Sequence, residues 1–122
     1  MNSQLAHQLS REKPRYKTKS GLLVVRTQDN EIPPYHVIDI STGGFSFRYL
    51  GKKLPSSEFE QVSLYYENKL ILDSIWVKPV SDDLLRDNLV PVRRRSVRFD
   101  LLSSEQEKKL ESFIRQYTEI SD

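Results

Sequence analysis

The sequence predicts a mainly β fold, a small six-stranded antiparallel β-barrel with one C-terminal α-helix packed on it. Short apolar runs separated by polar or glycine-rich breaks recur along most of the chain, as they do in antiparallel sheets. In one run Phe45, Phe47 and Tyr49 alternate with Ser46 and Arg48, the pattern of a strand with one buried face. Near the C-terminus the apolar spacing changes to that of a helix.

Composition limits the possible functions. With 122 residues the chain can build one domain with a modest core. It has no cysteine and only 2 histidines, so a disulfide framework, a metal site and a Ser-His-Asp triad have little material. We therefore expect no enzymatic activity and no cofactor. Because neither a membrane-spanning run nor a signal peptide is evident, the sequence predicts a cytoplasmic protein without membrane insertion.

Charge is unevenly distributed although the net charge is only +2. One basic stretch near the N-terminus carries Arg11, Lys13, Arg15, Lys17, Lys19 and Arg26 against Glu12 alone. A second cluster comprises Arg93, Arg94, Arg95 and Arg98. Local basic patches on a nearly neutral protein favour a small anionic ligand over a long nucleic acid.

The first part of the chain divides into an arm and three strands. Residues 1–20 are predicted to be a flexible N-terminal arm, because Pro14 disfavours helix and lacks an N–H donor. The barrel with its helix should occupy residues 21–119. Its first three strands are expected at residues 22–27, 35–39 and 45–49, each bounded by turn-forming residues.

Residues 62–66 and 70–77 read as two further strands joined by a short hairpin loop. Trp76 should be largely buried, with its indole N–H bonded to a partner. Residues 79–91 are expected to be a long, solvated loop holding at most one helical turn. Asp82, Asp83 and Asp87 interrupt the apolar pattern there without the regular spacing of a calcium loop.

The last strand is predicted at residues 92–99. Alternation places Arg93 and Arg95 on the same face as Val97 and Phe99. Two interpretations follow: the arginines project at the barrel mouth and reach a ligand, or their charge keeps an edge strand soluble.

One amphipathic helix is predicted to close the chain. The run Ser104-Glu105-Gln106-Glu107 has the form of a capping box. After it, apolar residues recur at helical spacing, and this stripe should pack on the barrel: Leu110, Phe113, Ile114 and Tyr117.

Two short motifs carry the functional prediction. The string Asp39-Ile40-Ser41-Thr42-Gly43-Gly44 lies between two predicted strands, and its residue types are those of a tight turn. Upstream, Arg11 and Arg15 are separated by three residues. An R-x-x-x-R followed by D-x-S-x-x-G on a small β domain with a C-terminal helix resembles the PilZ family, bacterial receptors for cyclic di-GMP. The resemblance runs roughly from Ser10 to Tyr117, and Ser10 and Ser96 depart from residues common in the family.

This resemblance implies a site for cyclic di-GMP. Arginine can pair with phosphate, bond the guanine edge and stack on a base. A carboxylate can accept guanine N–H groups, and glycines leave backbone bare for close approach. The implied ligand-binding residues are Arg11, Arg15, Asp39, Ser41, Gly43 and Gly44, with Arg93 and Arg95 as further candidates.

The implied mechanism is ligand-dependent ordering of the arm, which would couple cyclic di-GMP to a protein partner. The protein could be a monomer or a homodimer. Two alternatives remain open at this stage: a PilZ-like adaptor that does not bind nucleotide, and a small RNA-binding barrel in which spaced aromatics stack bases.

Overall fold

The computed structural model describes residues 16–18, 21–27 and 33–120, with side chains described in 21–27 and 33–116. Arg11 and Arg15 lie outside the described residues. The elements are, in chain order, β1 (Tyr16–Thr18), β2 (Leu22–Arg26), β3 (Tyr35–Ile40), β4 (Gly44–Leu50), β5 (Glu60–Tyr66), β6 (Lys69–Arg86), β7 (Val92–Asp100), α1 (Ser104–Tyr117) and β8 (Thr118–Ile120).

Six strands form a closed barrel. The sheet order is β2-β5-β6-β7-β4-β3, and an additional β2–β3 pairing closes it. Every pairing is antiparallel. The predicted six-stranded antiparallel barrel is therefore confirmed, and β1 and β8 extend the sheet beyond β3.

On the edge that faces away from β4, strand β3 has a different neighbour along each half. Its first half pairs with β2 at Tyr35 and His36, whereas its second half pairs with β1 through Tyr16↔Ile40 and Lys17↔Asp39. The sheet thus begins inside the segment that the sequence assigned to the N-terminal arm. The chain that follows Arg15 enters the fold beside Asp39.

The core follows the predicted alternation. Phe45, Phe47 and Tyr49 are at most 3% exposed, and Arg48 between them is exposed. Burying side chains of this size contributes about 1.5–3 kcal/mol each. From the helix, Leu110, Phe113 and Ile114 complete the core, as the apolar stripe predicts.

The helix begins with a capping box one residue earlier than predicted. The amide of Gln106 donates to the Ser103 hydroxyl at 3.1 Å, and the amide of Ser103 donates to Gln106 Oε1 at 2.9 Å. The capping pair is therefore Ser103 and Gln106, and the predicted pair Ser104 and Glu107 is wrong. Within the part of the chain that the structure describes, no helix is long and apolar enough to cross a bilayer.

The predicted loop at residues 79–91 is wrong, because β6 continues to Arg86 and pairs with β7 as far as Val92. Two β-bulges make this possible: the register gains one residue in β6 at Val80 and another at Leu85. The bulge at Val80 also reverses the alternation, so that Asp82 points inward opposite Arg95.

The predicted burial of Trp76 is also wrong: this residue is 50% exposed. The β5–β6 register passes from Leu64↔Leu72 to Val62↔Ile75, which adds one residue to β6. Because this addition reverses the alternation, Ile75 and Val77 face the core and Trp76 lies on the outer face.

Candidate functional site

The motif turn between β3 and β4 is closed by its own serine. The Ser41 hydroxyl oxygen accepts hydrogen bonds from the amides of Gly43 at 3.0 Å and Gly44 at 3.2 Å. The Ser41 amide donates to the Gly44 carbonyl at 2.8 Å. Ser41 is buried, so its first task is to hold the turn in one shape.

Gly44 is required by the approach of β4 to β7. A Cβ built at this position would lie 2.1 Å from the carbonyl oxygen of Val97, so no side chain fits without moving backbone. The neighbouring Gly43 carbonyl accepts a hydrogen bond from the Phe99 amide at 2.9 Å. The motif turn is therefore fastened to β7, and any contact of its glycines with a ligand remains a prediction.

Asp39 lies at the centre of a bonded cluster on the outside of the barrel. The Ser46 hydroxyl donates to Asp39 Oδ1 at 2.6 Å, and Arg94 Nη2 donates to Asp39 Oδ2 at 2.6 Å and to the Ser46 hydroxyl at 3.0 Å. The Arg94 side chain keeps 32% of its surface exposed. We call Asp39, Ser46 and Arg94, together with the motif turn, the outer-face site.

The sequence reasoning missed Arg94. Alternation placed Arg93 and Arg95 on the same face of the strand as the buried Val97. This correctly left Arg94 on the opposite face. That parity is shared by Ser46, which was already expected to face outward and which contacts Arg94. Alternation within β4 and within β7 therefore already placed Ser46 and Arg94 on the outer face. Their contact could be recognised only once β4 and β7 were known to be neighbours.

Cations flank the outer-face site along the neighbouring strands. Small serines occupy the middle of this face, since Ser96 lies between Ser46 and Ser81 in the register. Cationic side chains lie in the rows on either side, with Arg48 paired to Arg94 and Arg98 paired to Lys78, and the exposed Asp83 is paired with Arg94 on the β6 side. The exposed Trp76 precedes Lys78 by two residues on the same face of β6. This face combines small serines, several cations and one exposed aromatic ring.

Arg95 lies on the opposite side of β7, inside the barrel, with no exposed surface. Its guanidinium donates to Asp82, to Glu60 and to the loop before β5. The distances are 3.0 Å to Asp82, 2.9 Å to Glu60, 2.7 Å to the Leu54 carbonyl, 3.2 Å to the Pro55 carbonyl and 3.4 Å to the Ser56 hydroxyl. These acceptors match the five N–H groups of an arginine.

Arg95 belongs to an interior network that also contains Arg26, Tyr49, Glu60, Asp82 and Arg93. Arg26 Nε lies 3.1 Å from Glu60, and Arg93 Nε lies 2.7 Å from Asp82. Tyr49 donates its hydroxyl to Asp82. The expectation that Asp82 is solvated is wrong, because its side chain is only 5% exposed.

The interior network shifts the pKa values of three of its members, and the hydrogen bond to Asp82 raises the pKa of Arg93. Burial of the Asp82 carboxylate alone would raise its pKa, but hydrogen bonds from Tyr49, Arg93 and Arg95 outweigh burial and hold the pKa below the ordinary value. Burial raises the pKa of Tyr49, and the hydrogen bond to Asp82 raises it further. At neutral pH the network therefore contains an ionised Asp82 and a neutral phenol.

The pleat of β7 thus separates its arginines. Arg93 and Arg95 serve the interior network, whereas Arg94 reaches the outer-face site. The interpretation of β7 as an edge strand kept soluble by charge is wrong, because β7 lies between β4 and β6. Among the residues that the structure describes, no cluster of His, Asp and Glu could hold a metal ion.

This barrel with its helix has a PilZ-like fold. The PilZ domain of YcgR from Escherichia coli, solved with c-di-GMP, superposes with a TM-score of 0.66 at 18% identity, covering 88% of this chain and 90% of that one. MrkH, described as a c-di-GMP-dependent transcription regulatory factor, matches with a TM-score of 0.65 at 18% identity over 86% of this chain and 49% of that chain. A further structure of K. pneumonia MrkH gives a TM-score of 0.68 at 14% identity, with coverages of 84% and 47%.

The chain therefore spans about half the length of the MrkH chains it matches. No protein-family model matches the sequence, and a search of curated proteins finds no match.

Proposed function

We propose that this protein is a receptor for cyclic di-GMP that binds the nucleotide at the outer-face site. The observation that carries the proposal is the pairing of β1 with β3 at Asp39 and Ile40. Arg15 directly precedes β1 in the chain, and β1 pairs with β3 at the first residue of the D-x-S-x-x-G string. This pairing supports the proposal that the two motifs act on one ligand.

The chemistry of this face suits the ligand. Cyclic di-GMP carries two phosphodiester charges and two flat guanines. Arg94, with Arg48 in the same row and Arg98 beyond the row of serines, offers guanidinium groups that pair with phosphate or with the guanine edge. The exposed ring of Trp76 offers a surface on which a base can stack.

Asp39 holds Arg94 in place and has the acceptor chemistry for guanine N–H groups. Arg11 and Arg15 supply cations from the arm, as the family resemblance implies. Among the three consecutive arginines of β7 we assign ligand binding to Arg94. Arg93 is bonded to Asp82, and Arg95 is bonded inside the barrel to Asp82, Glu60 and the loop before β5.

We infer further that ligand binding orders the arm and so presents a new surface to a protein partner. The choice of cyclic di-GMP as the ligand is supported by the similarity to the YcgR domain solved with c-di-GMP and to MrkH, a c-di-GMP-dependent factor. The pairing of β1 supports a short path from the arm to the site.

Isothermal titration calorimetry tests the proposal. Cyclic di-GMP should bind in preference to GTP, cyclic GMP and single-stranded RNA. Arg94→Ala, Arg11→Ala and Arg15→Ala should each weaken binding by about 1–3 kcal/mol, the range for a lost charge-assisted or bidentate contact.

Arg86→Ala is the matched control, because Arg86 is an exposed arginine at the far end of β6. Its affinity should equal that of the unmodified protein. Equal or tighter binding of RNA would favour the RNA-binding barrel. Absence of binding to every nucleotide would favour an adaptor that works without a ligand.

A further inference from the structure

A groove lies between the start of β6 and helix α1, separate from the outer-face site. Its volume is about 510 Å³, and its lining combines apolar and basic side chains: Lys69, Leu70, Ile71, Lys108, Lys109, Ser112, Phe113 and Gln116. Leu70 is 45% exposed although it is apolar. We call this surface the lysine groove.

The charge of the lysine groove has one sign. Its described lining contains three lysines and no carboxylate. Two of the three acidic residues of the helix, Glu107 and Glu111, line a different cleft beside Thr42, whereas Glu105 lies one turn before Lys108 and Lys109. Whatever occupies the groove thus meets a positive rim over an apolar floor.

Main-chain groups of β6 are also available at the groove. β6 pairs with β7 only from Trp76 onward, so in the described part of the chain residues 69–75 are paired with β5 on one side only. An edge of this kind offers backbone N–H and C=O groups to an incoming peptide.

We propose that the lysine groove binds an acidic, amphipathic peptide segment of a partner protein. Carboxylates of the segment would pair with Lys69, Lys108 and Lys109, and its apolar side chains would cover Leu70 and Ile71. The lining from Lys108 to Gln116 extends about 12 Å along the helix, which suits a short segment. The basic stretch from Arg11 to Lys19 of this chain does not suit the groove, because its charge has the same sign as that of the groove. Binding here does not depend on nucleotide at the outer-face site.

Selection from a display library of short random peptides tests the proposal. The full chain is immobilised, and peptides that also bind the double variant Lys108→Glu/Lys109→Glu are removed. Enriched peptides should combine Asp or Glu with large apolar residues. In fluorescence anisotropy the charge reversal should raise the Kd of a synthetic copy at least about tenfold.

Lys52→Glu/Lys53→Glu is the matched control, since it reverses two exposed lysines in the loop after β4 and should leave the Kd unchanged. Circular dichroism establishes that both double variants are folded. No enrichment, enrichment of neutral or basic peptides, or equal binding by the Lys108/Lys109 variant would overturn the proposal. So would charge-dependent binding to phosphatidylglycerol vesicles without any enriched peptide, because the groove would then recognise lipid.

Discussion

Asp39 and Asp82 show how the same pair of residue types does two jobs in one barrel. Each carboxylate accepts a hydrogen bond from an arginine of β7, but the two lie on opposite faces of the sheet. Asp82 is bonded to Tyr49, Arg93 and Arg95, and its side chain is only 5% exposed. Asp39 holds Arg94, whose side chain remains 32% exposed, so Arg94 can turn to an incoming anion.

The lowered pKa of Asp82 predicts a dependence of stability on acid. The folded protein holds the Asp82 proton less tightly than the unfolded chain does. Its contribution to stability is therefore complete above the unfolded pKa of about 3.9 and is lost as the pH falls through the folded pKa. At neutral pH Asp82→Asn should lower the free energy of unfolding by about 2 kcal/mol, the scale of a lost charged hydrogen bond.

Urea denaturation from neutral pH to about pH 3 measures this effect. The difference between Asp82→Asn and the unmodified protein should shrink as the pH falls. Asp87→Asn, an exposed carboxylate beyond the end of β6, should match the unmodified protein at neutral pH. A difference for Asp82→Asn that stays constant with pH would contradict the assigned ionic role.

At the scale of elements, alternation predicted each strand well where neighbouring strands keep a regular register. It predicted the inward faces of β4 and β7 correctly. It failed along β6, where added residues near Ser74 and at Val80 and Leu85 reverse the alternation. Such bulges depend on the partner strand, so a pattern read within one strand could not place Trp76 or Asp82.

The start of helix α1 provides a sharp test between two adjacent serines. Ser103→Ala removes the hydroxyl that accepts from the Gln106 amide and should cost about 1 kcal/mol of stability. Ser104→Ala leaves the observed cap intact and should change stability by less than about 0.5 kcal/mol. Thermal unfolding of the two variants gives the comparison. A larger loss of stability for Ser104→Ala than for Ser103→Ala would instead support Ser104 as the capping residue, as predicted from the sequence.

On the scale of the whole molecule, the barrel places a short strand from the arm at the edge of the motif turn. The two motifs could be read in the sequence, and the barrel was predicted from it. The pattern could not show that β3 exchanges β2 for β1 as its neighbour between Tyr35 and Ile40. That change is a property of closure, since β2 pairs with the first half of β3 and leaves the second half to β1. The proposed site depends on it.

This arrangement predicts that cyclic di-GMP protects the arm from trypsin. In the free protein, cleavage after Arg11 and Arg15 should be fast, and saturating ligand should slow it strongly because both arginines would be engaged. Lys13 is followed by Pro14 and should not be cut in either state. Mass spectrometry of the digest over time measures each site.

Cleavage after Lys53, in the exposed loop after β4, serves as the internal control and should proceed at the same rate with and without ligand. Equal cleavage after Arg15 in both conditions would show that the arm is not a switch. The outer-face site would then be a preformed pocket that binds without ordering the chain.

The bulges of β6 also bear on how the protein behaves at high concentration. Among the described residues, 78–86 pair with β7 alone, which leaves a long strand edge turned to solvent. A flat edge of this length would template fibril growth. Here Pro79 removes one backbone donor, and the added residues Val80 and Leu85 break the regular spacing of the others. The bulges that reverse the alternation thus also make this edge a poor template for pairing with a neighbouring molecule.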